Sequence, residues 1–387
     1  MTKSKIWLSS PHMGGEEMKY VNQAFEENWI APLGPNVNGL EKDLESFLGE
    51  NIYVAALSSG TAALHLSLVL LNINPGDFVI CQSLTFAASA NPIIYLGAVP
   101  LFVGSEPDTW NLCPTAVEDA IKYGISKGKK PKAIITVSLY GMPYKVDEID
   151  ELSNRYSIPV IEDSAEALGS SYKNRKCGTF GDISVISFNG NKIITTSGGG
   201  ALIAKNRELQ KKAVFLATQA KDDTPHYEHT SIGYNYRMSN ISAGIGRGQM
   251  EVLAQRIEKR KDNHQFYQNL FKDQPQFSVH AEPDARFSSN HWLSIVSLRP
   301  SSWLNGEQIR QIALEQNIET RPIWKPMHLQ PVFKSVQYFG DDFAENCFRN
   351  GLCLPSGSNL TEVELERISV LFNDIFHLTS NKIRAKR

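Results

Sequence analysis

Cysteine is scarce in this sequence, and the few cysteines show no paired spacing. Among the 387 residues there are five cysteines, an odd number, and no two of them form a CxxC pair. This pattern argues against a disulfide framework and against a zinc site, and it favours a reducing environment. We therefore expect a cytoplasmic protein.

Long hydrophobic runs and an excess of charge are also absent. No stretch approaches the roughly 18 apolar residues of a membrane span, and the first residues lack the apolar segment of a signal peptide. The formal net charge is −2, which does not favour a nucleic acid or an anionic membrane surface as a partner. We interpret the basic run at 127–132 as a solvated loop. A hydrophobic fraction of 42% predicts a soluble globular protein with a substantial core.

The arrangement of apolar residues predicts an α/β fold. From about residue 52 to residue 205, short apolar runs alternate with helical patterns, which is typical of a mainly parallel sheet. The predicted strands are 53–57, 78–82, 99–103, 132–137, 159–163, 183–188 and 200–204, and the predicted helices between them are 61–72, 86–96, 114–124 and 146–156. Later elements are a long helix at 249–271, a strand near 291–298 and helices near 306–316 and 361–377.

We therefore predict two domains. Residues 1–247 form a large α/β domain around a seven-stranded, mostly parallel sheet, and residues 248–387 form a smaller C-terminal α+β domain.

A group of small polar residues at 58–61 follows a predicted strand and opens a predicted helix. The hydroxyls of Ser59 and Thr61 and the free backbone N–H groups at that helix start, including that of Gly60, suit a phosphate dianion. A plain helix cap, in which Ser or Thr satisfies the orphan donors, is the alternative interpretation.

Asp163 lies at the carboxyl end of an apolar predicted strand, the edge at which ligands bind in open α/β sheets. A carboxylate there can pair with a pyridinium nitrogen and hold it protonated. The ring then becomes an electron sink, which is the electronic requirement of pyridoxal-5′-phosphate (PLP) chemistry. An acid that caps the next helix is the alternative interpretation.

Lys192 lies in a polar loop that follows a predicted strand and ends in three glycines at 198–200. These glycines allow a positive φ or a close backbone approach. A lysine beside a cationic cofactor can lose its proton and become a nucleophilic amine, and Ser187 can give its hydroxyl to the phosphate. The alternative for Lys192 is a solvated loop lysine.

Together these features meet different needs of one cofactor, and here the chain resembles the sugar-nucleotide aminotransferases, fold-type I PLP enzymes that aminate keto sugars. The resemblance extends over essentially the whole chain, from 11–15 to 353–357. In segments 30–34, 187–200 and 321–328 the sequence is most similar to the bacterial UDP-4-keto-6-deoxy-N-acetylglucosamine 4-aminotransferases, which feed bacillosamine-type amino sugars into glycans.

The resemblance implies a role for each residue of the cofactor site. It implies that Lys192 carries PLP as a Schiff base, that Asp163 is the pyridinium partner, and that Ser187 with Gly60 and Thr61 forms the phosphate site, next to Ser59 as a further cofactor-binding residue. It also implies that Phe86 stacks on the cofactor ring, although a core phenylalanine is the alternative. Many family members have Gln or His in place of Glu166. A carboxylate near the cofactor's phenolate would repel it, so Glu166 is expected to be protonated or paired with the imine nitrogen.

The resemblance also implies partners. A two-fold homodimer would share its active sites, with Asn235 reaching the neighbouring subunit's cofactor phosphate. The substrates would be L-glutamate as the amino donor and a UDP-linked keto sugar as the acceptor, in a ping-pong reaction with Lys192 as general acid-base. The expected substrate-binding residues are Ile30, Arg237, Arg321, Lys325 and His328, although a structural hydrogen-bonding role is the alternative for His328.

Three alternatives remain. The first is amination of a dTDP- or GDP-linked keto sugar. The second is a PLP-dependent sugar dehydration, which the presence of Lys192 disfavours because such dehydrases replace this lysine. The third is a catalytically inactive regulatory protein with the same fold.

Overall fold

The computed structural model describes residues 4–299 and 304–384, with the backbone alone described at 378–384. Its strands are β1 (Tyr53–Leu57), β2 (Phe78–Gln82), β3 (Val99–Val103), β4 (Ala133–Val137), β5 (Val160–Asp163), β6 (Ser171–Tyr172), β7 (Arg175–Lys176), β8 (Ile183–Ser187), β9 (Gly200–Ala204), β10 (Phe277–Val279), β11 (Phe287–Ser288), β12 (Ser294–Leu298), β13 (Arg321–Pro322), β14 (Tyr338–Phe339) and β15 (Gly351–Leu354). Its α-helices are α1 (Glu17–Glu26), α2 (Pro35–Leu48), α3 (Gly60–Leu70), α4 (Ala87–Tyr95), α5 (Pro114–Ser126), α6 (Val146–Tyr156), α7 (Arg207–Ala217), α8 (Asn240–Glu251), α9 (Leu253–Phe271), α10 (Gly306–Glu315), α11 (Phe343–Asn350) and α12 (Glu362–Arg384).

A large mixed sheet organises the first half of the chain. Among the described residues it has eight strands in the order β1-β9-β8-β5-β4-β2-β3-β14. Every neighbouring pair is parallel except those that involve β9, which runs antiparallel to both β1 and β8. The seven predicted strands are all present, and the short strand β14, from the C-terminal part, extends the edge next to β3. The predicted α/β fold with a mainly parallel sheet is confirmed.

Helices cover both faces of this sheet. Apolar residues of α3, α4 and α7 pack together with the sheet in one buried cluster. On α5 and α6, apolar residues pack in a second cluster that includes Ile80, Leu101 and Ile134. Both faces are thus buried, which explains why the predicted strands are continuous apolar runs instead of alternating ones.

A second lobe surrounds the antiparallel sheet β10-β12-β15-β13. Apolar residues of α9, α10 and α12 form its core, and Ile6 from the N-terminal segment belongs to the same core.

The predicted helix at 249–271 is two helices, α8 and α9, because the backbone leaves the helical region at Val252 (φ −110°, ψ 4°). The predicted domain boundary between Arg247 and Gly248 falls within α8, and the division into domains stays a prediction. No helix in the described part of the chain is both long enough and apolar enough to cross a membrane.

Candidate active site

The carboxyl ends of β1, β5 and β8 meet at one edge of the large sheet, where a cavity of about 740 Å³ opens. This volume lies in the range of small-molecule sites. The cavity brings together ten of the predicted site residues: Ser59, Gly60, Thr61, Phe86, Asp163, Glu166, Ser187, Lys192, Arg321 and Lys325.

The N-terminus of α3 forms one wall of the cavity. The hydroxyl of Ser59 caps this helix by accepting the N–H of Ala62 at 3.0 Å, so the helix-cap interpretation holds for that side chain. The first-turn N–H groups at Gly60 and Thr61 have no acceptor within the helix. Ser187 lies beside them, since a Cβ added to Gly60 would be 3.0 Å from the Ser187 Cβ. This donor set fits a phosphate group.

A close approach between two backbone segments, one at Gly200 and one at the start of α3, holds this helix N-terminus in position. A Cβ on Gly200 would collide with the backbone of Ser59 and Gly60. Within the glycine run at 198–200, Gly200 therefore makes the close backbone approach that the sequence predicts. The positive φ in this loop falls on Ser197 (φ 71°).

Asp163 is buried at the end of β5. One carboxylate oxygen accepts the Ser89 hydroxyl at 2.7 Å, and the other accepts the N–H of Ala165 at 3.2 Å. Burial raises the pKa of Asp163, and these two hydrogen bonds and the charge of Lys192 act in the opposite direction. A buried carboxylate needs a cationic partner, and the protonated ring nitrogen of PLP would supply one.

Lys192 and Glu166 form an ion pair in the cavity. Lys192 Nζ lies 3.2 Å from Glu166 Oε1, and the other oxygen of Glu166 accepts the N–H of Tyr140 at 2.7 Å. Lys192 Nζ also lies 4.2 Å from the centre of a Trp292 ring. Burial raises the pKa of Glu166 to about 7, although Lys192 and the Tyr140 N–H lower it. This amine is therefore held inside the site and is not a solvated loop lysine.

Phe86 precedes α4 and is 58% exposed, so it is not a core residue of the chain. Its ring lies 5.6 Å from the ring of Trp324, centre to centre. An aromatic side chain exposed in a cavity has a free face for a planar ligand. The stacking of Phe86 on the cofactor stays a prediction.

Four residues make contacts in the site that were not predicted from the sequence. Ser89 holds Asp163, the Tyr140 N–H holds Glu166, and Trp292 contacts Lys192. The side chain of Asn290 donates to the carbonyl oxygens of Glu166 and Leu168, each at 2.9 Å. These residues are far from their partners in sequence, and no local pattern indicates the contacts.

The predicted substrate residues fall into two groups. Arg321 lines the cavity, is 66% exposed and pairs with Glu319 at 2.7 Å. Lys325 also lines it and forms no ion pair with any described residue. These two side chains place positive charge on the solvent side of the site.

Outside the cavity of their own chain lie Ile30, Asn235, Arg237 and His328. Ile30 and Asn235 are exposed. Arg237 pairs with Glu41 and donates to the carbonyl oxygen of Ala56. His328 contacts Ser83 at 2.7 Å and stacks on Tyr338 at 3.8 Å. Their predicted roles stay predictions.

Residues 11–372 match the DegT/DnrJ/EryC1/StrS aminotransferase family. A putative pyridoxal phosphate-dependent aminotransferase, EpsN of Bacillus subtilis, is 48% identical over 98% of this chain and 97% of its own length. GDP-perosamine synthase of Escherichia coli O157:H7 is 36% identical over 96% and 98%. The UDP-4-amino-4,6-dideoxy-N-acetyl-beta-L-altrosamine transaminase of Campylobacter jejuni is 31% identical over 83% and 85%.

Solved structures of the family share the fold. A DegT DnrJ EryC1 StrS aminotransferase from Brucella abortus superposes with a TM-score of 0.86 at 28% identity, over 93% of this chain and 95% of that chain. A putative sugar aminotransferase from Streptococcus pneumoniae, in its PLP form, gives 0.87 at 26% identity, over 98% and 100%. With a site that fits PLP and a match over nearly its whole length, the chain belongs to the DegT/DnrJ/EryC1/StrS aminotransferase family and is a PLP-dependent aminotransferase.

Proposed function

We propose that this enzyme transfers an amino group from L-glutamate to C4 of a UDP-linked 4-keto-6-deoxy-N-acetylhexosamine. The observation that carries the proposal is the composition of one cavity. Its inner part contains Lys192, Asp163 and the N-terminus of α3, and its solvent side contains the cations Arg321 and Lys325.

Each residue of the inner part has a defined task. Lys192 would hold PLP covalently, Asp163 would bind its ring nitrogen, and the N-terminus of α3 with Ser187 would bind its phosphate. When bound, PLP supplies an electron sink for the electron pair that a broken Cα–H bond leaves behind. Ser89 and the Ala165 N–H fix both carboxylate oxygens of Asp163, so its charge would be held in place to bind the ring nitrogen.

Lys192 is the group that moves protons. Its Nζ, when free, would take the proton from the Cα of the amino donor and later return a proton to the product side. Glu166, at 3.2 Å, stabilises the ammonium form of Lys192 between these two transfers. The aromatic ring of Trp292 stabilises the same charge from another direction.

The cations support a nucleotide-linked acceptor. A diphosphate needs positively charged donors, and guanidinium and ammonium groups are the side chains that bind it. Among the relatives, three are named for a GDP sugar, one for a dTDP sugar and one for a UDP sugar. The similarity of segments 30–34, 187–200 and 321–328 to UDP-sugar 4-aminotransferases favours UDP.

We also propose that the enzyme is a homodimer with shared active sites and works in the cytoplasm. Trp29, Ile30 and Leu33 lie together in sequence, and each is at least 39% exposed. Exposed apolar groups of this kind mark interfaces, and a second subunit would cover them. All five cysteines, each in the described part of the chain, are unpaired, which suits a reducing compartment.

The test is the second half-reaction, measured on enzyme that L-glutamate has first converted to the amino form. UDP-, GDP- and dTDP-linked 4-keto sugars are each mixed with this form, and return of the original cofactor absorbance is followed. We expect the UDP-linked N-acetylated sugar to react with the highest kcat/KM. A clear preference for the GDP-linked sugar would establish the perosamine-type alternative, and a clear preference for the dTDP-linked sugar would also contradict the proposal.

A further inference from the structure

Two stacked histidines form a buried cluster behind the active site. His264, on α9, and His291, just before Trp292, stack with their ring centres 3.7 Å apart and their planes 6° apart. His291 Nε2 lies 3.0 Å from Glu282 Oε1. The potential ligand atoms of His264, His291 and Glu282 all lie within 4.8 Å of one another. No residue of this cluster is among the described residues that line the active-site cavity.

His264 lacks the contacts that a buried imidazole requires. It is only 3% exposed, and neither of its ring nitrogens has a hydrogen-bond partner among the described residues. A neutral imidazole has one N–H donor and one acceptor nitrogen, and buried polar groups are almost always satisfied. An imidazole that binds a metal uses a ring nitrogen with no other partner, and both ring nitrogens of His264 are available for this.

We propose that His264, His291 and Glu282 form a binding site for one divalent transition-metal ion of the zinc type. Two imidazole nitrogens and one carboxylate oxygen are a donor set that zinc accepts. Calcium and magnesium require more oxygen ligands than this cluster offers. Because the two rings are parallel, with planes 6° apart, the His264 ring would have to tilt out of the stack for its nitrogen to point at the same ion as His291 and Glu282.

The cluster has a route for the ion and a place for a fourth ligand. The side chain of Glu282 is 27% exposed, whereas that of His291 is 9% exposed. The ion would enter on the Glu282 side, and water would complete a tetrahedral shell there. Glu282 is already fixed in this direction, because its Oε1 also accepts the N–H of Ser289 at 3.0 Å.

The position of the site gives it a structural role. A bound ion would tie α9 and Glu282 to the segment 289–293. In that segment, Asn290 holds the carbonyl oxygen of Glu166, and Trp292 contacts Lys192. The ion would thus stabilise the segment that contacts Glu166 and Lys192, without itself contacting the substrate. This inference does not depend on which sugar nucleotide the enzyme uses.

The test uses tag-free, PLP-loaded enzyme that a chelator has stripped of metal. Zinc alone is titrated against a chromophoric competitor, bound metal is counted by mass spectrometry, and Tm is measured with and without zinc. We expect one zinc ion per chain and a higher Tm with zinc, because an ion that binds the folded state stabilises it.

Variants identify the ligands. Glu282→Gln keeps an acceptor for the Ser289 N–H but loses the anionic ligand, and His264→Phe keeps a ring in the stack. We expect both to bind zinc at least tenfold more weakly and to lose the rise in Tm. His226→Ala is the matched control, because His226 and Glu228 form an exposed histidine-carboxylate pair at 3.1 Å, and it should bind zinc like the wild type. The proposal is overturned if the wild type binds no stoichiometric zinc. It is also overturned if Glu282→Gln, whose partly exposed side chain makes misfolding a small risk, binds zinc as tightly as the wild type.

Discussion

Glu166 Oε1 lies 3.2 Å from Lys192 Nζ, and the other oxygen of Glu166 accepts the backbone N–H of Tyr140 at 2.7 Å. The carboxylate is therefore oriented by the main chain before it meets the lysine. Both side chains are almost fully buried, with 4% and 11% exposure. Removal of either partner leaves an uncompensated charge in a buried site. The same ion pair therefore affects both the stability of the cofactor-free protein and the catalytic lysine.

The pKa of Glu166 predicts a pH-dependent stability of the cofactor-free protein. This pKa is raised from 4.5 to about 7 by burial, so between these values the folded state binds more protons than the unfolded state. The free energy of unfolding should therefore fall as pH rises through this window, by up to about 3 kcal/mol. Glu166→Gln should lack this fall.

Urea unfolding of both proteins between pH 4.5 and 8 measures the difference. The exposed Glu208→Gln variant is the control and should follow the wild type. Parallel curves for wild type and Glu166→Gln would show that Glu166 does not titrate in this window.

Replacement of the lysine tests its two roles. Lys192→Ala should still bind PLP, through the phosphate and ring contacts, but borohydride should no longer attach the cofactor to the chain. Turnover should fall by about 10²–10⁴ or more, because the proton-transfer group is lost. Lys211→Ala, at an exposed position on α7, should behave like the wild type. Borohydride labelling of another lysine with near-normal turnover would refute the assignment.

Asp163→Asn should lower the catalytic rate far more than the affinity for the cofactor. A charge-assisted hydrogen bond contributes roughly 1.5–3 kcal/mol to binding, and the phosphate contacts remain. Protonation of the ring, however, stabilises the transition state more than the ground state. Fluorescence titration with PLP and steady-state kinetics give the two losses. Equal losses would argue against the electron-sink role.

The cations on the solvent side of the cavity should act on one substrate only. Arg321→Ala and Lys325→Ala should each raise KM for the sugar nucleotide by about tenfold, the loss expected for one partly solvated charge-assisted contact. Neither should change KM for L-glutamate by a comparable factor, since glutamate lacks the diphosphate. Arg155→Ala, on the surface of α6, is the control. Unchanged KM values in both variants would place the diphosphate elsewhere.

Mixed dimers test whether two subunits share each site. Lys192→Ala and Asn235→Ala, inactive separately, should regain activity after subunit exchange, because one site of each heterodimer collects both defects and the other is intact. Random pairing at equal amounts makes about half of the dimers mixed, so activity should approach about a quarter of the wild-type value.

The experiment requires that Asn235→Ala alone is severely impaired. Arg237→Ala is the substitute if it is not, although Arg237 also pairs with Glu41 within its own chain. If mass spectrometry verifies exchange and no activity above that of the parents appears, Asn235 does not act across the interface.

Much of the fold and of the inner site could be predicted from local sequence. The predicted strands 53–57, 78–82 and 99–103 agree with the structure at both ends, because a buried strand between helical segments has a clear apolar pattern. Strand β14 was not predicted. It has two residues, and it exists only because it pairs with β3, far away in sequence.

The sequence by itself determined which chemically active residues lie at the carboxyl ends of the strands. Asp163 and Ser187 end parallel strands, and Lys192 follows the second of these strands, so any sheet that places the two strands side by side brings the three residues to one edge. This result depends on strand order and direction, and not on details of side-chain packing.

Only the tertiary structure decided which distant side chains meet. It placed Trp292 against Lys192, paired Arg237 with Glu41 away from the cavity of its own chain, and stacked His264 on His291. A count of cysteines argues against a zinc site, but it has no bearing on a cluster built from histidine and glutamate. The physical reason is that such contacts depend on how whole helices and loops pack, and short-range patterns of polarity in a single chain do not record that packing.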